Sequence, residues 1–319
     1  MSAKMVLMVP FTGLGMYGGF RGNRWLRNRI AVFEKFVIPS ILNQTDRDFV
    51  VWLCWREQER HNMYVAELKE RLSKIPNFKF VFTYTGVPMW DDKYDDEVAR
   101  ERLFDTLKNG LQELFDYLPD CDEVYWLMQP SDDLYDRMTV ESVKLAFKND
   151  QTMQAVTYLK GFICNYTTKE VKEYNPKTNP PFAAIRFPRN IFFDPGKHMT
   201  YISLKEDVGK YKKGTPLPSH EYLPHCLKTA VFDGRGFMVG THGENISTHF
   251  NHPYGQNELN EGELQTVFFN FGIGGVKPIK LPISFRKWLM RKLPHRWQRK
   301  LRYWFGELLY NRFYNWIRN

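Results

Sequence analysis

The stretch that decides the fold is residues 123–133, EVYWLMQPSDD, in which an apolar run is followed at once by Asp132 and Asp133. Short apolar runs of this kind are typical of buried parallel strands. Three earlier runs have the same character, namely KMVLMVPF at 4–11, FVVWLCW at 49–55 and FKFVFTY at 78–84. The sequence therefore predicts four buried strands, the last of which ends in a pair of carboxylates.

The segments between these runs have helical spacing, with apolar residues three or four positions apart over 24–43, 59–74 and 97–118. Strands that alternate with helices predict an α/β fold with a mixed, mostly parallel central sheet, and its ligand site lies at the carboxyl ends of the strands. The later sequence is less regular. We predict helices at 139–149, near 219–227 and at 258–270, and strands at MQAVTYL (153–159) and 236–241.

The net charge of +9 is concentrated in residues 283–319, which hold ten Lys or Arg, one Glu and four of the nine Trp. Residues 1–282 are neutral overall, so the composition predicts no nucleic-acid partner. A basic, aromatic, amphipathic helix predicts binding to an anionic membrane surface. The alternative is a C-terminal helix docked on the domain with a solvated basic face.

We divide the chain into a domain at 1–282 and the basic helical segment at 283–319. The first has a nucleotide-binding half (1–135) and an acceptor half (136–282). The four cysteines are far apart, which fits a reducing cytosol. No signal peptide or run of ~18 apolar residues is evident. These features predict a cytoplasmic protein, peripheral on the inner face of the cell membrane.

The carboxylates Asp132 and Asp133 are the strongest candidate site. Adjacent carboxylates at the end of a buried strand repel each other unless a cation is present, and Mg²⁺ or Mn²⁺ shared with a substrate diphosphate removes that cost. The alternative is that they are turn or helix-capping acids before the helix at 139, because Ser and Asp favour such positions.

Other side chains are weaker candidates. His242 follows a strand and could be a further metal ligand, although most histidines are structural. Glu221 could be the base that deprotonates an acceptor hydroxyl, or simply an acid at a helix N-terminus. Arg100 could reach a diphosphate, and Thr12 and Arg29 are further candidates for contact with the donor.

A glycine cluster competes with this interpretation. Residues 13–18, GLGMYG, match the G-x-G-x-x-G pattern of NAD-binding proteins. The fingerprint needs a helix that opens within the glycines, but here the helical pattern starts only near Asn23 or Trp25. No second strand ends in an acid about 20 residues on. An NAD-dependent oxidoreductase is therefore the less favoured interpretation of the function.

Several motifs together resemble the rhamnosyltransferase family, bacterial proteins related to glycosyltransferases of the GT-A fold. The motifs are Trp25-Leu26-x-x-Arg29 with Phe33 and Phe36, Pro39-Ser40-Ile41-Leu42-x-Gln44-Thr45, Ser131-Asp132-Asp133, Pro180-Pro181-Phe182, and His242-Gly243-x-Asn245-Ile246-Ser247-Thr248. The resemblance implies a GT-A-like nucleotide-diphospho-sugar transferase fold. It also implies Asp133 as metal ligand, Asp132 as ligand or ribose contact, His242 as further ligand and Glu221 as base.

One departure from the family pattern concerns the acidic motif. The family reads Arg-x-Asp-x-Asp-Asp where this chain has Gln129-Pro130-Ser131-Asp132-Asp133, so a basic and an acidic residue are missing. This predicts either a weaker metal site or a ligand set shifted to Asp133 and His242.

The function predicted is that of a hexosyltransferase. It would move rhamnose or another hexose from a nucleotide-diphosphate donor to a glycan or lipid-linked acceptor, with Mn²⁺ or Mg²⁺ and with inversion. The alternative is a non-catalytic sugar- or membrane-binding relative of a transferase.

Overall fold

The computed structural model describes residues 2–12, 22–86, 108–118, 120–176, 182–194, 227–242, 245, 250–251 and 254–282. Its strands are β1 (Ala3–Val9), β2 (Phe49–Arg56), β3 (Lys79–Gly86), β4 (Glu123–Met128), β5 (Leu134–Tyr135), β6 (Ala155–Asn165), β7 (Val171–Tyr174), β8 (Ala183–Pro188), β9 (Thr229–Thr241) and β10 (Gly255–Glu258). Its helices are α1 (Gly22–Val32), α2 (Ile38–Leu42), α3 (Met63–Ser73), α4 (Thr139–Asn149), α5 (Arg189–Phe192) and α6 (Glu261–Asn270). A π-helical turn (Phe33–Val37) joins α1 to α2, a 3-10 turn (Glu57–Glu59) follows β2, and residues 108–115 are also helical.

The strands form one mixed sheet in the order β10-β7-β6-β8-β4-β1-β2-β3, with β9 beside β6 and β5. The first four strands pair in parallel, so that Val6 lies between Val50 of β2 and Trp126 of β4. Antiparallel pairing begins where β8 joins β4. The α/β class with a mixed sheet, parallel through β1 to β4, is thereby confirmed.

Strand β1 shows why these runs are apolar throughout. Successive side chains point to opposite faces of a strand. Met5, Leu7 and Val9 enter one buried cluster, whereas Val6 and Met8 enter a second cluster on the other face. A strand covered on both faces has no solvent-facing position, and a continuous apolar run is the result.

The four predicted N-terminal strands are confirmed to within two residues at each end, and the helix at 139–149 matches α4. The predicted helix at 258–270 is confirmed as the slightly shorter α6, and the strand at 236–241 is the last part of β9. The glycine cluster at 13–18, the first half (97–107) of the predicted helix at 97–118, nearly all of the helix near 219–227 and the segment 283–319 lie outside the described residues. The domain boundary at 282 stays a prediction. None of the described helices has the length and apolar character needed to cross a bilayer.

Candidate functional site

The acidic step, defined as Ser131-Asp132-Asp133, lies where the chain leaves the sheet after β4. The backbone N–H of Gln129 still donates to the carbonyl of Met8 in β1, at 2.8 Å. The Gln129 side chain then donates to the carbonyl of Asp133, at 2.7 Å, and closes the turn. The two carboxylates therefore stand at the carboxyl edge of parallel strands, where such sheets bind ligands.

Neither carboxylate caps a helix. Met138 is the N-cap of α4 and makes no side-chain cap, whereas the carboxylate of Asp136 accepts the Met138 N–H at 2.9 Å. The capping alternative for Asp132 and Asp133 is therefore not what the structure shows.

Asp132 is held by three side chains from distant parts of the chain. The Arg29 guanidinium of α1 forms an ion pair with its Oδ2. His242 Nε2, which follows β9, lies 3.2 Å from the same oxygen, and the Asn245 amide donates to it at 3.1 Å. Arg29, Asp132 and His242 are 2%, 7% and 5% exposed. The charge of Asp132 is thus compensated inside the protein.

The pKa of Asp132 reflects this pairing. Burial alone would raise it, but the Arg29 charge and the His242 hydrogen bond outweigh burial and lower the pKa to about 2. Asp132 is therefore ionised at neutral pH.

Asp133 has the opposite environment. Its side chain is partly exposed, and its Oδ1 accepts the backbone N–H of Gly240 at 2.9 Å. Loss of hydration around the carboxylate and the adjacent Asp132 charge raise its pKa well above the ordinary value. No described residue donates to its Oδ2. Asp133 is thus the carboxylate whose charge the described protein leaves largely uncompensated.

His242 and Asn245 are fixed against the end of β9. The backbone N–H of His242 donates to Asn245 Oδ1 at 2.7 Å, and the side-chain amide of Asn245 donates to the Gly240 carbonyl at 2.6 Å. The buried His242 Nδ1 and Ser131 Oγ have no hydrogen-bond partner among the described residues. These hydrogen bonds hold the His242 imidazole against Asp132.

Gly240 is required by the close approach of the acidic step to β9. A Cβ built at this position would lie 2.1 Å from the Asp132 carbonyl oxygen and 2.3 Å from the Tyr166 ring. The Tyr166 hydroxyl itself donates to that carbonyl at 2.9 Å, so the ring cannot simply move away. The two segments can pack only if position 240 has no side chain.

We expect Gly240→Ala to lower the free energy of unfolding by about 1–3 kcal/mol, the usual cost of overpacking. Urea denaturation of the wild type and the variant measures this change in the free energy of unfolding. The matched control is Gly234→Ala on the same strand, where a Cβ would meet nothing within 4 Å. Equal denaturation midpoints for the two variants would contradict the proposed close contact.

Thr12 belongs to a second buried network, at the carboxyl ends of β1 and β2. Its hydroxyl donates to Glu59 Oε2 at 2.8 Å and accepts the Arg56 N–H at 3.2 Å. Glu59 is fully buried and also binds the Arg56 guanidinium. The Thr12 hydroxyl therefore ties two strand ends together, and its contact with a donor stays a prediction.

The structure thus brings together Arg29, Asp132, Asp133 and His242 of the predicted site residues. Glu221 and Arg100 lie outside the described residues. Asn245 was not predicted as part of the site, although its place in the H-G-x-N motif is the signal that could have found it. No local pattern could have shown that Arg29 pairs with Asp132, because the two are far apart in sequence.

The fit of a divalent cation can be judged from the donor groups. Within the described part of the chain, no three His, Cys, Asp or Glu side chains form a cage for a metal ion. Mg²⁺, however, is often held by one or two carboxylates together with substrate phosphates and water. Asp133, with an oxygen to which no described residue donates a hydrogen bond, fits such a site.

Comparison with known proteins gives one sequence match. Residues 21–86 match the family model described as "Putative rhamnosyl transferase", 66 of the 319 residues. That range contains α1, β2 and β3, together with the Trp25–Arg29 and Pro39–Thr45 motifs. No curated protein matches the chain.

Among solved structures, the chain is similar to TarS of S. aureus. Residues 1–349 of TarS match at 13% identity and a TM-score of 0.39, over 74% of this chain and 60% of that one. The same TarS segment in complex with UDP matches at 12% and 0.40, over 94% and 78%. A longer TarS structure matches at 12% and 0.37, over 92% and 46%.

The family match supports a glycosyltransferase, and it falls on the segment that supplies Arg29 to the candidate site. The resemblance of this chain to the rhamnosyltransferase family is therefore confirmed over residues 21–86.

Proposed function

We propose that this chain is a glycosyltransferase that moves a hexose from a nucleotide-diphosphate donor to a glycan or lipid-linked acceptor. The observation that carries the proposal is the contrast between the two adjacent carboxylates. Asp132 is neutralised by Arg29 and held by His242, whereas Asp133 stands beside it at the ligand-binding edge with one oxygen to which no described residue donates a hydrogen bond. An uncompensated carboxylate at this edge is suited to a cation that also binds a diphosphate.

In this proposal the carboxylate of Asp133 would hold Mn²⁺ or Mg²⁺. When bound, the metal would neutralise negative charge on the departing nucleotide diphosphate. Asp132 and His242 are weaker candidates for ligands, because Oδ2 of Asp132 already pairs with Arg29 and accepts from the Asn245 amide, and His242 Nε2 lies 3.2 Å from that oxygen. Their part is to fix the turn from which Asp133 projects.

The acceptor chemistry is proposed from the family resemblance. Glu221 takes the proton of an acceptor hydroxyl, the oxygen attacks the anomeric carbon, and the bond from that carbon to the diphosphate oxygen breaks, with inversion. Arg100 would contact the diphosphate. Rhamnose is the donor sugar that the family's description favours.

The test is a thermal-shift screen of the full chain with UDP, GDP and dTDP, each with and without Mn²⁺, and with NAD. A ligand that binds the folded state raises the melting temperature. We expect a metal-dependent rise with at least one nucleoside diphosphate and none with NAD. A rise with NAD alone would favour the oxidoreductase. Metal-dependent binding without transfer from any UDP-, GDP- or dTDP-sugar would favour the non-catalytic relative.

The basic segment 283–319 is proposed to hold the enzyme on an anionic membrane, at the cytoplasmic face where lipid-linked acceptors are assembled. Ten cations and four tryptophans suit the interface of such a bilayer. We expect deletion of 283–319 to abolish co-sedimentation with phosphatidylglycerol vesicles while leaving the circular dichroism of the domain intact. Phosphatidylcholine vesicles are the control, and full retention of the truncated chain on anionic vesicles would refute the anchor.

A further inference from the structure

A cavity of about 700 Å³ lies between α6 and strands β6, β7 and β9, apart from the acidic step. Its size is within the range of ~300–1,000 Å³ typical of small-molecule sites. Phe162 of β6 and Phe271, which follows α6, line it with their rings 5.8 Å apart and nearly perpendicular. Asp136, Glu173, Arg235 and Thr266 contribute polar groups to its walls.

The charged groups of the cavity are largely compensated by one another. Arg235 forms an ion pair with Glu173 at 3.0 Å and donates to the Gly161 carbonyl at 3.0 Å, while its guanidinium lies 5.6 Å from the centre of the Phe162 ring. The carboxylate of Glu263, also in the lining, accepts the Asn260 N–H at 2.9 Å. What the walls offer a ligand is therefore hydrogen bonding beside aromatic rings, without a free cation to bind a phosphate.

This lining suits a saccharide. Sugar hydroxyls both donate and accept, and they match carboxylate, amide and hydroxyl groups held in fixed planes. The rings of Phe162 and Phe271 are only 8% and 1% exposed, so they form the apolar base of the cavity, and the polar groups make the contacts with the sugar. Three acids, Asp136, Glu173 and Glu263, against one base, Arg235, disfavour a nucleotide or another anion.

Strand β6 connects the cavity to the candidate site. Phe162 and Cys164 point to the same face of β6, since side chains alternate along a strand. Cys164 pairs with Gly240, and Tyr166, two residues further, donates to the Asp132 carbonyl. The end of β6, from Phe162 to Asn165, thus links the cavity wall to Tyr166, whose hydroxyl contacts the acidic step.

We infer that this cavity is a saccharide-binding subsite, which takes a sugar residue of the acceptor glycan remote from the reacting hydroxyl. The inference rests on the proposed function. The subsite would give the acceptor glycan a second point of attachment, and a glycan held at two points binds more tightly than at either one alone.

Saturation-transfer NMR of the full chain tests the subsite, with D-glucose, D-galactose, N-acetyl-D-glucosamine and L-rhamnose as probes. We expect a signal from at least one sugar with the wild-type protein and its loss in Thr266→Trp, which fills the cavity from an exposed position of α6. The matched control is Gln265→Trp, next to it on the exposed surface and outside the cavity. This control should retain the signal.

A signal that persists in Thr266→Trp, or no signal from any of the four sugars with the wild type, would overturn the subsite. The metal-dependent thermal shift with nucleoside diphosphates is measured on the same three proteins. If that shift is present throughout while the sugar result is negative, only the subsite fails. If the shift is absent from the wild type, the proposed function itself fails.

Discussion

Replacing Asp132 by alanine (Asp132→Ala) is expected to lower the free energy of unfolding by about 3–5 kcal/mol, the usual cost of removing one partner of a buried ion pair. Arg29 is only 2% exposed, so its guanidinium would keep its charge without the carboxylate that neutralises it. The His242 ring and the Asn245 amide would lose the same acceptor. Urea denaturation followed by tryptophan fluorescence measures the change.

The matched control for this variant is the neighbouring Asp133→Ala. Asp133 is partly exposed and accepts one described hydrogen bond, from the Gly240 N–H, so we expect a cost of about 1 kcal/mol. If the two alanine variants unfold at the same urea concentration, Asp132 is not the charge-paired residue that the structure shows.

Acid should reveal the same ion pair. The pKa of Asp132 is about 2 in the folded protein, against an ordinary value of 3.8. A group whose pKa is lowered by folding stabilises the protein above its unfolded pKa, and that stabilisation is lost as the pH falls through the folded value. The difference corresponds to about 2 kcal/mol, lost between roughly pH 4 and pH 2. Asp132→Asn should lack this part of the acid dependence.

Much of the fold followed from the sequence because it depends on local patterns. The apolar run of β1 and the helical spacing of α4 are each contained in about ten residues, and each predicted its element. The position of the acidic step was predictable for the same reason, since strand β4 and the two carboxylates adjoin. The parallel order of the first strands also followed from their alternation with helices.

The resemblance implied Asp133 as the metal ligand, but the surroundings of the two carboxylates could not be predicted. They depend on Arg29 of α1 and on Gly240 and His242 at the end of β9. These contacts join segments more than 100 residues apart. The motif Ser131-Asp132-Asp133 by itself does not distinguish the two acids; the packing makes Asp132 a buried, charge-paired residue and leaves Asp133 as the ligand candidate.

Asp133→Ala is expected to remove metal-dependent donor binding, with a loss of transferase activity of at least ~100-fold, because a stabilising group at the leaving diphosphate contributes on this scale. The fold should survive, since the Asp132 ion pair with Arg29 is untouched. The measurements are the Mn²⁺-dependent thermal shift with nucleoside diphosphates and the rate of transfer from the best donor of the screen.

The control for this variant is Asp233→Ala, which removes an exposed acid from the early part of β9, the same strand that contributes Gly240. Both variants lose one negative charge, but only Asp133 stands at the carboxyl edge beside Asp132. Asp233→Ala should therefore keep the metal-dependent shift and the activity of the wild type. Should Asp133→Ala keep them as well, the cation must be held elsewhere or not be used at all, and the contrast between the two adjacent carboxylates would then serve only to close the turn after β4.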